Sequence, residues 1–343
     1  MRLPVISESI FKKISNLFDM EKNKAESLFS PYFFHYHRGF FSGEWNLQRY
    51  LAYFYDVFTK TKAKKARVLD IGCGFGLMSI FFQNFGAAEV IGVDVNDEKI
   101  TGFKTLLEIL GLENGSIKAE FGDTLNIGYS DEEFDVIIAN DVLSHVRDLG
   151  VFLEEVRRLL RPDGRLYIYD DNNKLFVLNF FERRKFWERC EKGPINDITF
   201  RGTDEKLSFS DMRKEMILEL EPNCDPSQLK YLVRNTAGMY GDEIKSAVFK
   251  FKQTGKIRNQ KRFKYRNPKT GEFPERPLSP YVISKALRSK GFFCWALPTF
   301  FFVKPIGLKG IIKKGLGLIF RVIPSASFIM APSFRILCQK SRL

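Results

Sequence analysis

From residue 66 onward the chain alternates two kinds of apolar segment, and this alternation constrains the fold more than any other feature. The β-type runs are VLDIGC, EVIGVDV, SIKAEFGD, FDVIIAN and RLYIYDD. Between them, stretches 76–85, 97–111 and 148–160 carry apolar residues at helical spacing. Strand–helix alternation predicts a parallel sheet covered by helices on both faces, an α/β fold. Right-handed crossovers then settle most of the topology. Arg161-Pro162-Asp163-Gly164 reads as the turn between the last of these helices and the fifth strand.

The first strand runs into Asp70-Ile71-Gly72-Cys73-Gly74-Phe75-Gly76, a strand–glycine loop–helix unit of the kind that cradles nucleotides. It departs from the dinucleotide pattern GxGxxG, because the third glycine position, counted from Gly72, is Leu77. A pyrophosphate sits at a helix N-terminus, and Asp70 beside it would repel it. An acid before the first glycine suits a cation. S-adenosylmethionine (SAM) fits, since it carries a sulfonium and an α-ammonium and no phosphate. The next strand ends in Asp94, followed by Val95, where a carboxylate can accept both ribose hydroxyls. Gly122-Asp123 ends the third strand, with Asp123 facing the adenine amino group, and Asn140-Asp141 ends the fourth, beside the methionine end. These positions share the carboxyl edge, where open α/β sheets bind ligands.

On these residues the chain resembles the class I SAM-dependent methyltransferases of the broad small-molecule type. The resemblance rests on Asp70 to Gly76, Asp94, Gly122-Asp123, Phe134-Asp135 leading into Asn140-Asp141-Val142-Leu143-Ser144-His145-Val146, and Leu159-Leu160-Arg161-Pro162-Asp163-Gly164. It covers 66–172 well and 279–340 loosely. It implies a Rossmann-like seven-stranded sheet ending in an antiparallel hairpin, with the tail as the last strand. It also implies SAM as cofactor, held by Asp70, Gly72, Cys73, Gly74, Gly76, Asp94, Val95, Asp123, Asn140 and Asp141.

Four regions are expected. Residues 1–65 form an aromatic, helical extension or lid, with one helix near Leu47 to Thr59. Residues 66–173 form the SAM-binding core, 174–278 a mostly helical insertion that selects substrate, and 279–343 the completion of the core. The insertion offers Arg183, Arg184, Trp187 and the stretch 258–269 to an anionic acceptor group.

Methyl transfer needs alignment and exclusion of water more than a dedicated catalyst. A hydroxyl nucleophile also needs a base. His145, just past the fourth strand, is the candidate base, and a histidine that merely shapes the loop is the plain alternative. Asp170, Asp171, Asn172 and Asn173 follow the fifth strand. They either orient the acceptor, with Asp171 the catalytic candidate, or cap a helix beginning near Leu175. His35 and His37, read as one face of a strand, do not complete a zinc site. No metal is expected.

The net charge of +13 is unevenly spread. Residues 304–343 hold eight Lys or Arg and no Asp or Glu, and Lys256 to Lys269 is a second basic run. Such charge suits nucleic acid, an anionic membrane or an acidic substrate, or simply a solvated surface. Segment 307–323, basic and apolar, is a candidate membrane contact. The five cysteines are scattered and read as free thiols in a reducing compartment. No signal-like N-terminus and no uncharged apolar run of about 18–20 residues is present. A cytoplasmic protein follows, with peripheral membrane contact as its variant.

The leading function is SAM-dependent methylation of a hydroxyl or amine on a small molecule, glycan or lipid-linked precursor. Nucleic-acid methylation is disfavoured: Asn140-Asp141-Val142-Leu143 lacks the Pro-Pro-aromatic loop of base-amine enzymes, and no Pro-Cys dipeptide exists. A non-catalytic SAM-binding or membrane-adaptor protein is the third reading.

Overall fold

The computed structural model describes residues 10, 12–14, 16, 29, 33, 34, 37, 44–112, 115–171, 173–193, 207–299 and 324–342. Among them, seven strands form one sheet in the order β3-β2-β1-β4-β5-β7-β6. The strands are β1 (Arg67–Ile71), β2 (Glu89–Asp94), β3 (Ile117–Phe121), β4 (Phe134–Asn140), β5 (Leu160–Asp170), β6 (Phe292–Thr299) and β7 (Ser333–Lys340). The first five are parallel. β7 inserts antiparallel between β5 and β6. This is the α/β sheet and terminal antiparallel pair expected from the sequence.

Period-two alternation divides each strand between two cores. Val68, Val90, Val136, Ile138 and Tyr167 face one layer, beneath α1 (Glu44–Lys60), α2 (Leu77–Asn84) and α3 (Asp97–Leu110). Leu69, Ile91, Ile137, Leu166 and Ile168 face the other, beneath α4 (Leu149–Leu159) and α9 (Pro280–Arg288). Helix α1 presents Leu51, Phe54, Val57 and Phe58 at helical spacing, and its aromatic rings meet Phe81, Phe82 and Phe85. Full burial of such side chains contributes roughly 1.5–3 kcal/mol each.

Local signals set the helix ends. Asn96 caps α3 by accepting from the Lys99 N–H, and Gly111 closes it at φ 66°. Asp148 caps α4 through the N–H groups of Gly150 and Val151. Ser279 caps α9, with Pro280 at its first turn. Caps of this kind contribute about 1 kcal/mol each.

Between β5 and β6 the described chain is mainly helical, with α5 (Val177–Lys192), α6 (Phe209–Leu220), α7 (Pro226–Asn235) and α8 (Asp242–Thr254). Ile217, Leu232, Ile244 and Val248 give this region its own small core. α10 (Pro324–Met330) leads into β7.

Several local expectations are corrected. Arg161 to Gly164 does not separate a helix from a strand. Pairing with β4 begins at Leu160, and the register then jumps to Arg165 opposite Val136. The turn is an irregularity inside β5, with Asp163 at φ 63°. His37 is helical, not extended. Its Nδ1 bonds the Phe33 carbonyl one turn earlier, at 2.9 Å. Not all cysteines are free. Cys294 and Cys338 stand opposite each other on β6 and β7 and form a disulfide. Sequence spacing could not bring them together, because they lie 44 residues apart and only strand pairing aligns them. Cys73, Cys190 and Cys224 are free. His35, Asn172 and segment 307–323, with its membrane expectation, lie outside the described residues. Among the described residues, no helix is long and apolar enough to cross a membrane.

The chain leaves β1 toward β2 and β3, then returns to build β4 and β5 on the other side of β1. The carboxyl ends of β1 and β4 therefore flank the switch point, where an open sheet leaves a crevice.

Candidate active site

The glycine loop is fixed by its own backbone. Gly72, Gly74 and Gly76 all have positive φ. A Cβ on Gly72 would meet Val142 at 2.4 Å, and one on Gly76 would meet the Phe103 ring at 2.1 Å. Substitution at either position is thus blocked by conformation and by space. The Gly72 N–H donates to the Val93 carbonyl at 2.7 Å, which ties the loop to β2. Phe75, in the same loop, packs edge-on to Phe33 and lies against His37. Burial pushes His37 down to about 3, so it stays neutral. These N-terminal residues buttress the loop. Among the described residues no cluster of His, Cys, Asp and Glu suits a metal.

Asp70 and Asp94 are both buried beside this loop. Asp70 accepts from the Ser79 hydroxyl at 2.6 Å. Burial pushes its carboxyl up to about 7; the Ser79 bond opposes the shift, and the Asp94 charge adds to it. Asp94 accepts from the Gly74 N–H at 3.0 Å and the Asn96 N–H at 2.9 Å. Its nearer oxygen is 4.0 Å from Lys99 Nζ. Burial and both acids push the Cys73 thiol well up, so it remains protonated. The hollow is therefore short of positive charge. A phosphate-bearing nucleotide would add charge of the same sign. A sulfonium with an α-ammonium would lower the cost of ionising Asp70. The residues present fit SAM.

The other strand ends are differently engaged. Val95 is exposed. Asp123 accepts from the Leu125 N–H at 3.0 Å and pairs with Arg147 at 2.6 Å, so a cation already covers one of its oxygens. Asn140 accepts from the Tyr53 hydroxyl at 2.6 Å, which joins α1 to the end of β4. Asp141 holds a left-handed backbone, φ 59°, and donates its N–H to the Tyr169 carbonyl. Burial, Asp171 and Asp170 push the Asp141 carboxyl up, toward its protonated form.

His145 follows at the start of the next loop. Its Nδ1 lies 3.0 Å from the Phe273 carbonyl. A carbonyl only accepts, so Nδ1 carries a proton, and in the Nδ1–H tautomer the lone pair lies on Nε2. Asp171 accepts from the Tyr169 hydroxyl and, at 2.8 Å, from Ser333 of β7. Asn173 does not cap a helix. Its side-chain nitrogen bonds the carbonyls of Phe328 and Ala331, both at 2.6 Å, and its oxygen accepts from the Leu175 N–H. It clamps the approach to β7, while α5 starts at Val177. Of the insertion residues, Trp187 is buried and donates to the Pro274 carbonyl at 2.8 Å. Arg184 pairs with Glu188 on its own helix, and Arg183 pairs with Glu275 and acts electrostatically on Asp141. Sequence reasoning missed Tyr53, Tyr169 and Ser333, which have no distinguishing local pattern. It also missed Ser144, inside a stretch that was noticed.

Residues 62–216 match the family model described as a methyltransferase domain. Over these residues the chain is similar to a SAM-dependent methyltransferase domain, whose cofactor is S-adenosylmethionine. The chain is similar to a ubiquinone biosynthesis O-methyltransferase of Bradyrhizobium sp. (strain ORS 278), 36% identical over 116 residues, covering 33% of this chain and 43% of that one. It is also similar to norajmaline N-methyltransferase of Rauvolfia serpentina, 26% identical over 115 residues, covering 34% and 39% respectively. The chain thus spans less than half the length of these relatives. Among solved structures, a putative SAM-dependent methyltransferase from Listeria monocytogenes aligns with TM-score 0.47 and 12% identity, over 85% of this chain and 98% of that one.

Proposed function

We propose that this chain transfers a methyl group from SAM to a hydroxyl or amine of a small molecule. One observation carries the reading: two buried acids flank a left-handed glycine loop at the sheet's switch point, with His145 on the adjoining loop in the Nδ1–H form. Asp94 would hold the ribose, its carboxylate already aimed by the Gly74 and Asn96 N–H groups. Asp70, Asn140 and Asp141 would line the methionine end. When bound, SAM supplies an electrophilic methyl carbon on a sulfonium.

The protein's own part is alignment and proton handling. The bond from Nδ1 to the Phe273 carbonyl fixes the imidazole and directs Nε2 to receive a hydroxyl proton. A neutral amine acceptor would need no such transfer before attack. Asp171, anchored by Tyr169 and Ser333, would orient the acceptor. The insertion between β5 and β6 would close over it and choose among small molecules, glycans and lipid-linked precursors. The relatives' O- and N-methyltransferase names support both acceptor atoms.

The test is incubation of the purified chain with methyl-labelled SAM and fractionated cell extract. Label in the small-molecule fraction is expected. Label confined to RNA or DNA would transfer the reading to nucleic-acid methylation. Firm SAM binding without labelling of any fraction would leave a non-catalytic binder.

A further inference from the structure

The segment 273–276 lies against the loop that follows β4. The Phe273 N–H donates to the His145 carbonyl at 3.1 Å, and the Arg276 N–H to the Ser144 carbonyl at 3.0 Å. Ser144 in turn donates its N–H to Asp170 at 2.9 Å. The side chains at this junction behave unlike their neighbours. Ser144 is fully buried, yet its Oγ has no hydrogen-bond partner among the described residues. Arg276 Nε and Nη2 are also shielded from solvent and unpartnered there. The guanidinium carbon lies 4.3 Å over the Phe273 ring, so one face of the group is held flat.

Arg266 and Arg213, whose heads are also buried, do not share this condition. Arg266 donates to the carbonyls of Gly271 and Arg147. Arg213 pairs with Glu191 and donates to the Val233 carbonyl. Arg183 pairs with Glu275. A guanidinium edge shielded from water without hydrogen-bond partners is costly, and proteins rarely keep one without use. Moreover, Nε and Nη2 form one edge of the guanidinium plane. That edge presents two parallel N–H groups, a fork matched to a pair of oxygens on a carboxylate or phosphate. The charges acting on Arg276 are Asp170 and Asp148, which attract, and Arg266, which repels. Neither acid hydrogen-bonds the fork.

We infer that Arg276 and Ser144 form a subsite for an oxyanion, carboxylate or phosphate, carried by the methyl acceptor. The fork takes two oxygens and the Ser144 hydroxyl donates to one of them. Ser144 adjoins His145, so an anion held here sets the acceptor's position relative to Nε2. This inference rests on the methyltransferase reading of the same site. It adds the acceptor's charge and the residue that selects it. Burial and the Arg266 charge lower Arg276 to about 10, which leaves it cationic at neutral pH and poorly compensated until an anion arrives.

The experiment uses the full chain with saturating S-adenosylhomocysteine. Benzoate and phenyl phosphate serve as anionic probes and benzamide as the neutral isostere of benzoate, with binding followed by calorimetry. At least one anion should bind about tenfold or more tightly than benzamide, as expected when a charge-assisted hydrogen bond is made. Whichever anion binds better assigns the oxyanion. Arg276→Gln should lose about the same factor. Arg276→Lys should recover only part of it, because an ammonium lacks the fork, and Ser144→Ala should lose less. The Arg276→Gln protein, free of probe, should melt no lower than wild type. Equal binding of benzamide and both anions, or anion binding untouched by Arg276→Gln, would overturn the subsite. So would a clear fall in melting temperature, which would make Arg276 a structural residue. Loss of S-adenosylhomocysteine binding by the wild type would instead sink the methyltransferase reading, and the anion titration would still stand or fall alone.

Discussion

The two edges of the sheet carry the same kinds of charged residue and treat them in opposite ways. At the amino edge, charge is matched. Arg158 binds Glu155, Asp131 and the carbonyls of Ile127 and Tyr129. Lys340 reaches Glu132, and Arg161 pairs with Asp135. A groove of about 560 Å³ opens here, lined by Leu125, Asp131, Glu132, Arg158 and Lys340 among others. Most charges lining it already have an opposite: Arg158 pairs with Asp131 and Glu155, Lys340 with Glu132 and Glu154 with Lys290. At the carboxyl edge the acids crowd one another. Asp70 and Asp141 are both pushed up, chiefly by burial, and Arg276 keeps an unbonded fork among the described residues. A fold selected for stability alone would neutralise both edges. Unsatisfied charge at one edge is what a site for charged ligands requires.

Predictions that would break this comparison are taken from the largest effect down. Arg158→Ala should destabilise the protein by about 3 kcal/mol in urea unfolding, because it strands the buried Glu155. SAM affinity, measured by calorimetry, should not change; a loss would mean the edges are coupled. Next, His145→Gln should lower turnover by roughly 100-fold while SAM affinity holds. A loss confined to cofactor binding would reject the base.

Asp70 gives a pH signature. Its carboxyl is raised from 3.8 to about 7 in the folded protein. Below pH 4 both states are protonated and the group contributes nothing. As pH rises, the unfolded chain ionises first, so the folded state loses stability up to about pH 7 and then levels off. Asp70→Asn should therefore stabilise the free protein by roughly 2 kcal/mol at pH 8, flatten this slope in urea titrations, and weaken SAM binding. Stability that instead rises over this range would contradict a charge-starved hollow. Last, Asp94→Ala should weaken SAM about tenfold or more, or about 1.4 kcal/mol. An unchanged affinity would end the cradle assignment.

Legibility followed the range of each interaction. The strands were readable because burial on both faces demands continuous β-branched runs, and the five parallel elements fell where the runs stood. The acid–glycine–acid spacing was readable because Gly72 and Gly76 meet backbone and packing demands that other residues fail. His37 misled because alternate histidines suit a strand, whereas its surroundings on Phe33 and Phe75 made a helix. Asn173 misled because its amide serves the approach to β7, some 155 residues downstream, and not the nearby helix. The cysteine pair and the turn at Arg161 failed likewise, through strand register that no local pattern encodes.

By itself the sequence determined the parallel strands and an acid–glycine–acid loop suited to a cation, since periodicity, glycine conformation and carboxylate charge are local properties. Only the tertiary structure decided which charges found partners. It joined Asn140 to Tyr53, Asp171 to Ser333, and Arg276 to the Ser144 loop across long stretches of chain. Hydrogen bonding and desolvation depend on what stands nearby in space, and sequence distance does not encode that.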